Sequence, residues 1–85
     1  MSERALARVA NEISDIIVVG AIMGFTHTKI RQYQNTYPHS VPEQCTLMFT
    51  DWRRFASDTS VGQFVRLMRE ANVDDDIVRR AVEEE

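Results

Sequence analysis

The chain has 85 residues, 44% of them apolar and 27% charged, with a formal net charge of −3 and a pI near 5.3. A chain of this size is a single domain that buries about 60–65% of the surface exposed when unfolded, which leaves no room for an active-site cleft beside a core. It also lacks the clustered positive charge that phosphate neutralisation needs, so neither an enzyme with a cofactor or small-molecule substrate nor a nucleic-acid binder is expected.

Apolar residues recur with the helical period along the whole chain, with no repeats, low-complexity tracts or strand-like alternation. A first helix is predicted from about Arg4 to Ile13, with Leu6, Val9, Ala10 and Ile13 on one face. Ser14 is placed to cap a second helix beginning at Asp15, whose charge suits a positive helix N-terminus, and Gly24 ends it. This helix, DIIVVGAIMG, is apolar nearly all round. With Ile16, Val19, Gly20 and Met23 turned to the core, Ile17, Val18, Ala21 and Ile22 face outward. They form either a contact surface for another chain or, at a different rotation, a face covered within the monomer. The apolar run from Ile16 to Phe25 is too short to span a bilayer, and the helix has no basic residues to hold it on a membrane surface.

Thr26 caps a third helix on which Ile30, Tyr33 and Tyr37 share a face, and Pro38 ends it because proline lacks an N–H and forces the preceding residue out of the α region. Ser40 and Glu43 have the capping-box spacing. They open a fourth helix, Val41 to Phe55, with an apolar stripe of Val41, Cys45, Met48, Phe49 and Trp52. Asp51, Arg53 and Arg54 flank the only tryptophan. The arginines either serve the helix dipole as solvated charges or pair with carboxylates of a partner. After a polar break, Ala56-Ser57-Asp58-Thr59, the Ser60 and Gln63 pair repeats the capping-box spacing and opens a fifth helix with Val61, Phe64, Val65 and Met68 inward. Asp74, Asp75 and Asp76 start a sixth, with Ile77, Val78, Ala81 and Val82 inward. One aspartate suffices as a cap, so the surplus forms an acidic patch able to receive Arg53 and Arg54 of another copy. The closing Glu83-Glu84-Glu85 opposes the dipole and is expected to fray.

Cys45, the only cysteine, lies on the apolar stripe and reads as a buried hydrophobe; no intramolecular disulfide can form, which fits reducing cytosol. The first residues, MSERALARVANEIS, are mixed and charged, so no signal peptide is expected. His27 and His39 have no partners at metal-ligand spacing and read as surface residues. The expected architecture is all-α, one six-helix antiparallel bundle over residues 1–85. The sequence is either a whole small adaptor or one domain of a longer chain.

An apolar helix, an aromatic-proline turn at Tyr37-Pro38, the Glu43-Gln44 pair near the next helix start and Trp52-Arg53 at its far end together resemble a death domain, and the six apolar faces fall in the order of that family. The resemblance spans nearly the whole chain and is similar to adaptor members. One departure is Ile16, where the second helix of many members opens with tryptophan. The resemblance implies a cytoplasmic homotypic interaction module of an adaptor or receptor in apoptosis or innate immunity. Its partners would be other death-domain proteins or further copies of itself, joined through heterologous contacts that propagate as a helix. The alternatives are a caspase-recruitment or death-effector domain, or a helix-turn-helix regulator. The effector class is disfavoured by the lack of an Arg-x-Asp-Leu motif, and the regulator by Lys29 and Arg31 being the only basic residues of the candidate recognition helix.

Overall fold

Each helix starts where a side-chain oxygen takes up a free N–H of the first turn. In the computed structural model, which describes residues 1–83, Ser2 caps α1 (Glu3–Ala10) by accepting from Ala5 N, and Thr26 caps α3 (His27–Thr36) by accepting from Lys29 N. The cap of α2 (Ile16–Ile22) is Asp15 and not Ser14: its Oδ1 accepts from Ile17 N at 3.0 Å and Val18 N at 3.4 Å. Ser40 and Ser60 cap α4 (Val41–Phe55) and α5 (Val61–Glu70) from Glu43 N and Gln63 N. The return half of each capping box has a different partner. Ser40 N donates to Tyr37 O and Ser60 N to Asp58 Oδ1, which holds the Asp58 carboxyl below its ordinary pKa. At α6 (Asp75–Glu83), Asp74 Oδ1 accepts from Asp76 N at 2.9 Å.

Two helices stop on paired bonds around a left-handed residue. Gly24, at φ 94°, donates to Ala21 O while Phe25 N donates to Gly20 O; Asn72, at φ 61°, donates to Arg69 O while Val73 N donates to Met68 O. These are Schellman caps, one on glycine and one on the asparagine that tolerates the same backbone. α1 ends three residues before the predicted Ile13, because Glu12 N and Ile13 N donate to carbonyls only three residues back and tighten the chain into a turn. Ile13 is nonetheless buried beside α1's own face.

The six helices form an all-helical bundle, as expected from the pattern, with no strand among the described residues. α1 packs on α4 and α6, α2 and α3 on α4, and α5 on α6 and α2, so the two ends of the chain share one side of the core. Phe64 sits at the centre. Its ring meets Phe49 edge-on at 5.3 Å and Trp52 at 5.5 Å, and Leu6, Val9, Met48, Met68 and Val78 are fully buried in the same core. No helix among the described residues is long and apolar enough to cross a membrane.

Several residues of the predicted apolar faces lie elsewhere than expected. On α5, Leu67 joins Phe64 and Met68 inside, while Val61 is exposed and Val65 half-buried, because packing against both α2 and α6 turns the helix toward Leu67. Tyr37 is exposed: at φ −130° and ψ 73° it has left helical geometry, so its ring leaves the face shared by Ile30 and Tyr33. Val41, Met23, Ile77 and Val82 are half-buried.

Burial fixes the chemistry of Cys45. Fully enclosed, its thiol is pushed from an ordinary value of 9.0 up to about 12. An alkylating reagent at pH 8 is therefore expected to leave the folded protein unlabelled and to modify one thiol per chain in denaturant. The unfolded thiol ionises from about pH 9 while the folded one stays protonated, so the unfolded state binds fewer protons. Stability should be intact below pH 9 and fall as pH rises toward 12, by up to about 1.4 kcal/mol per unit from this group. The Tyr33 hydroxyl, raised by burial and then by its bond to Asp51, adds a fall in the same direction above about pH 10. Urea midpoints measured from pH 7 to 11 check the sign; a midpoint that does not fall across this range would show that the two groups titrate alike in the folded and unfolded chain.

Candidate protein-interaction surface

The rotation of α2 is set by its single glycine. A Cβ at Gly20 would lie 2.7 Å and 2.8 Å from Ile30 Cδ1 and Cγ1 and 3.2 Å from Met48 Sδ, so only a bare Cα allows α2 to approach α3 and α4 this closely. Ile16 and Val19 point inward beside it. Opposite them, Ile17 is 44% and Val18 46% exposed, and Ala21 is exposed. Ile22 departs from its predicted outward position: it is half-buried and packs on the core. α2 therefore presents a ridge of three apolar residues, with no charged residue between Ile16 and Ile22.

The two arginines after Trp52 have different partners. Arg53 Nη1 donates to Met1 O at 2.7 Å and Nη2 to Glu3 Oε1 at 3.5 Å, so this guanidinium fastens the N-terminal residues onto α4 and does not stand on an open patch. Arg54 is exposed, with its guanidinium carbon 5.8 Å from the Phe55 ring centroid. Phe55 itself is 75% exposed, the most exposed large apolar side chain described. The pattern gives no sign of this, because Phe55 lies three residues after Trp52 and seven after Met48, a spacing that continues the buried stripe. Asp51 also faces inward contacts: it accepts the Tyr33 hydroxyl at 2.7 Å and lies 4.0 Å from Lys29 Nζ, tying α3 to α4.

The acidic run is likewise divided. Asp74 caps α6 through Oδ1, and Asp75 pairs with Arg69 at 3.3 Å and Arg79 at 3.4 Å. Asp76 is exposed in the first turn of α6. What the sequence did not reveal is where Asp74 lies in space. The turns after α1 and α5 meet beside α2 and enclose a groove of about 330 Å³. Val18, Val73 and Ile77 lie on its apolar side, and Glu12, Asp15 and Asp74 bring three carboxylates to it. Glu12 and Asp15 are far from Asp74 in sequence, and only the tertiary fold brings them together.

A second, smaller groove, about 210 Å³, runs between α5 and α6 over Val61, Val65 and Val82, and the Arg69–Asp75–Arg79 cluster borders it. Among the described residues no three His, Cys, Asp or Glu side chains gather as a metal site. His27 lies 3.5 Å from Arg31 and His39 is exposed in the turn before α4. No protein-family model, curated protein or solved structure matches the chain.

Proposed function

We propose that the chain is a homotypic protein-interaction module, a death-domain-like adaptor or receptor segment of cytoplasmic signalling in apoptosis or innate immunity, whose partners are further copies or related domains. The resemblance described above supplies the class. The observation that supports it here is a complementary pair of surfaces on one molecule: the projecting Arg54-Phe55 pair and the acidic groove whose floor includes Val73 and Ile77. A bulky ring with an adjacent guanidinium suits an apolar floor with a carboxylate rim, since the ring fills the groove while the charge pairs at its edge. The pairing joins two different patches, so each copy keeps one free donor and one free acceptor, and the assembly grows. In this arrangement Arg54 and Phe55 replace the predicted Arg53–Arg54 pair as donor, and Glu12 with Asp74 replaces the predicted aspartate triplet as acceptor.

Light scattering tests the reading. At about 0.1 M salt, where the screening length is roughly 10 Å, the wild type is expected to have a higher mean mass than Arg54→Glu or Phe55→Ser, with unchanged helical circular dichroism. Mixing Arg54→Glu with Glu12→Lys should recover the mass. At about 1 M salt, with screening over roughly 3 Å, wild type and Arg54→Glu should coincide. Equal masses for all three proteins at low salt would remove this pair of surfaces from the assembly.

A further inference from the structure

The α2 ridge and the groove between α5 and α6 are a convex and a concave apolar surface on opposite partners of the same helix packing, and the contact proposed above uses neither the Ile17 and Ala21 side of the ridge nor the valine trough. The ridge carries no charge, and Ile17, Val18 and Val61 are three of the five large apolar residues that stand exposed among the described residues. A neutral ridge can enter a trough with charged borders without burying an unpaired ion. The polar groups also match. Asp15, exposed at the start of α2, is the nearest charge preceding the ridge, and the trough is bordered by two guanidiniums, Arg69 and Arg79, that both pair with Asp75, with Glu83 at the far edge of the lining. A second carboxylate is what that cluster can accept.

From this complementarity we infer that the α2 ridge of one copy docks in the α5–α6 trough of a second copy. Ile17 and Ala21 lie over Val61, Val65 and Val82, and Asp15 meets Arg69 and Arg79. The occupant is another copy of this chain, and the inference rests on the reading that the chain self-associates. The contact is again between different patches, so it extends the assembly along a second direction. Because most of it is apolar burial, it survives salt that abolishes the Arg54-Phe55 contact.

The buried Cys45 makes engineered thiols selective probes. Ala21→Cys and Val61→Cys each place a thiol at an exposed position. The two variants, mixed in equal amounts under a mild oxidant and digested for mass spectrometry, are expected to give a disulfide between positions 21 and 61 at least tenfold above either symmetric product. The yield should be the same in about 1 M salt and in a Phe55→Ser background, and Ile17→Glu in the Ala21→Cys chain should abolish it. Symmetric products in equal or greater amount overturn the contact, and so does the absence of cross-linking in a sample whose light scattering still reports oligomers. A chain that is monomeric at every salt concentration overturns the self-association reading and this contact with it.

Discussion

Trp52→Ala is expected to lower unfolding free energy by about 3–5 kcal/mol, the range for removing a large aromatic from a packed core. Trp52 is 4% exposed and lies 5.5 Å from the Phe64 ring, which in turn supports Phe49, so alanine opens a void beside the central aromatic cluster. Domains of this size have a total stability of about 4–13 kcal/mol at 0.05–0.15 kcal/mol per residue. The variant should thus lose a large share of its stability, and its Tm should fall by more than about 12 °C at 4–8 °C per kcal/mol. Urea denaturation followed by circular dichroism measures this, since the variant has lost the only fluorescent indole. Arg54→Glu, which changes an exposed side chain, is the control. A loss below about 1 kcal/mol would mean that Trp52 is not part of the closed core.

Gly20 gives the second large effect, and its sign opposes helix propensity. In an open helical position alanine is better than glycine by about 1 kcal/mol. At Gly20 the added Cβ would overlap two carbons of Ile30 at 2.7 Å and 2.8 Å, and Ile30 is itself buried. Overpacking of this kind costs about 1–3 kcal/mol, so after the propensity gain Gly20→Ala should be net destabilising by up to about 2 kcal/mol and Gly20→Val by about 3 kcal/mol. Gly62, in the first turn of α5, has nothing within 4 Å of the same Cβ, and Gly62→Ala should be neutral or stabilising by up to about 1 kcal/mol. A Gly20→Ala, Ile30→Ala double-mutant cycle should show favourable coupling, because truncating Ile30 removes both overlapping atoms. If Gly20→Ala stabilises the protein as Gly62→Ala does, α2 lies farther from α3 than the geometry states.

Both effects bear on the proposed interaction surfaces. Ile17, Val18 and Ala21 stand outside only because Gly20 lets Ile16 and Val19 sink against α3 and α4. A helix lifted by a side chain at position 20 would blunt the ridge and alter the groove beside Val18. Gly20→Ala should accordingly lower the yield of cross-links at position 21 as well as stability.

The helices can be read from the linear pattern alone. Thr26, Ser40 and Ser60 are oxygen-bearing residues whose bonds go to N–H groups three residues on, and Gly24 supplies a positive φ at the stop; such contacts are local and legible in a linear pattern. The stripe of Cys45, Met48, Phe49 and Trp52 is legible for the same reason, since spacing alone gathers those residues on one side of a long helix. How a helix is turned, and where a charge finds its nearest opposite, depend on the packing of the whole bundle. Leu67 displaced Val61 and Val65 from the core because α5 has two neighbours to satisfy. Arg53 was taken by Met1 and Glu3, which lie next to it only because α1 packs on α4. Phe55 has the spacing of a core residue but is the last residue of its helix, where the chain turns away and leaves it in solvent. Glu12, Asp15 and Asp74 became one rim when two turns met. The geometry of a single helix follows from spacing within the chain, whereas a surface is assembled from residues distant in sequence and exists only once the helices have packed.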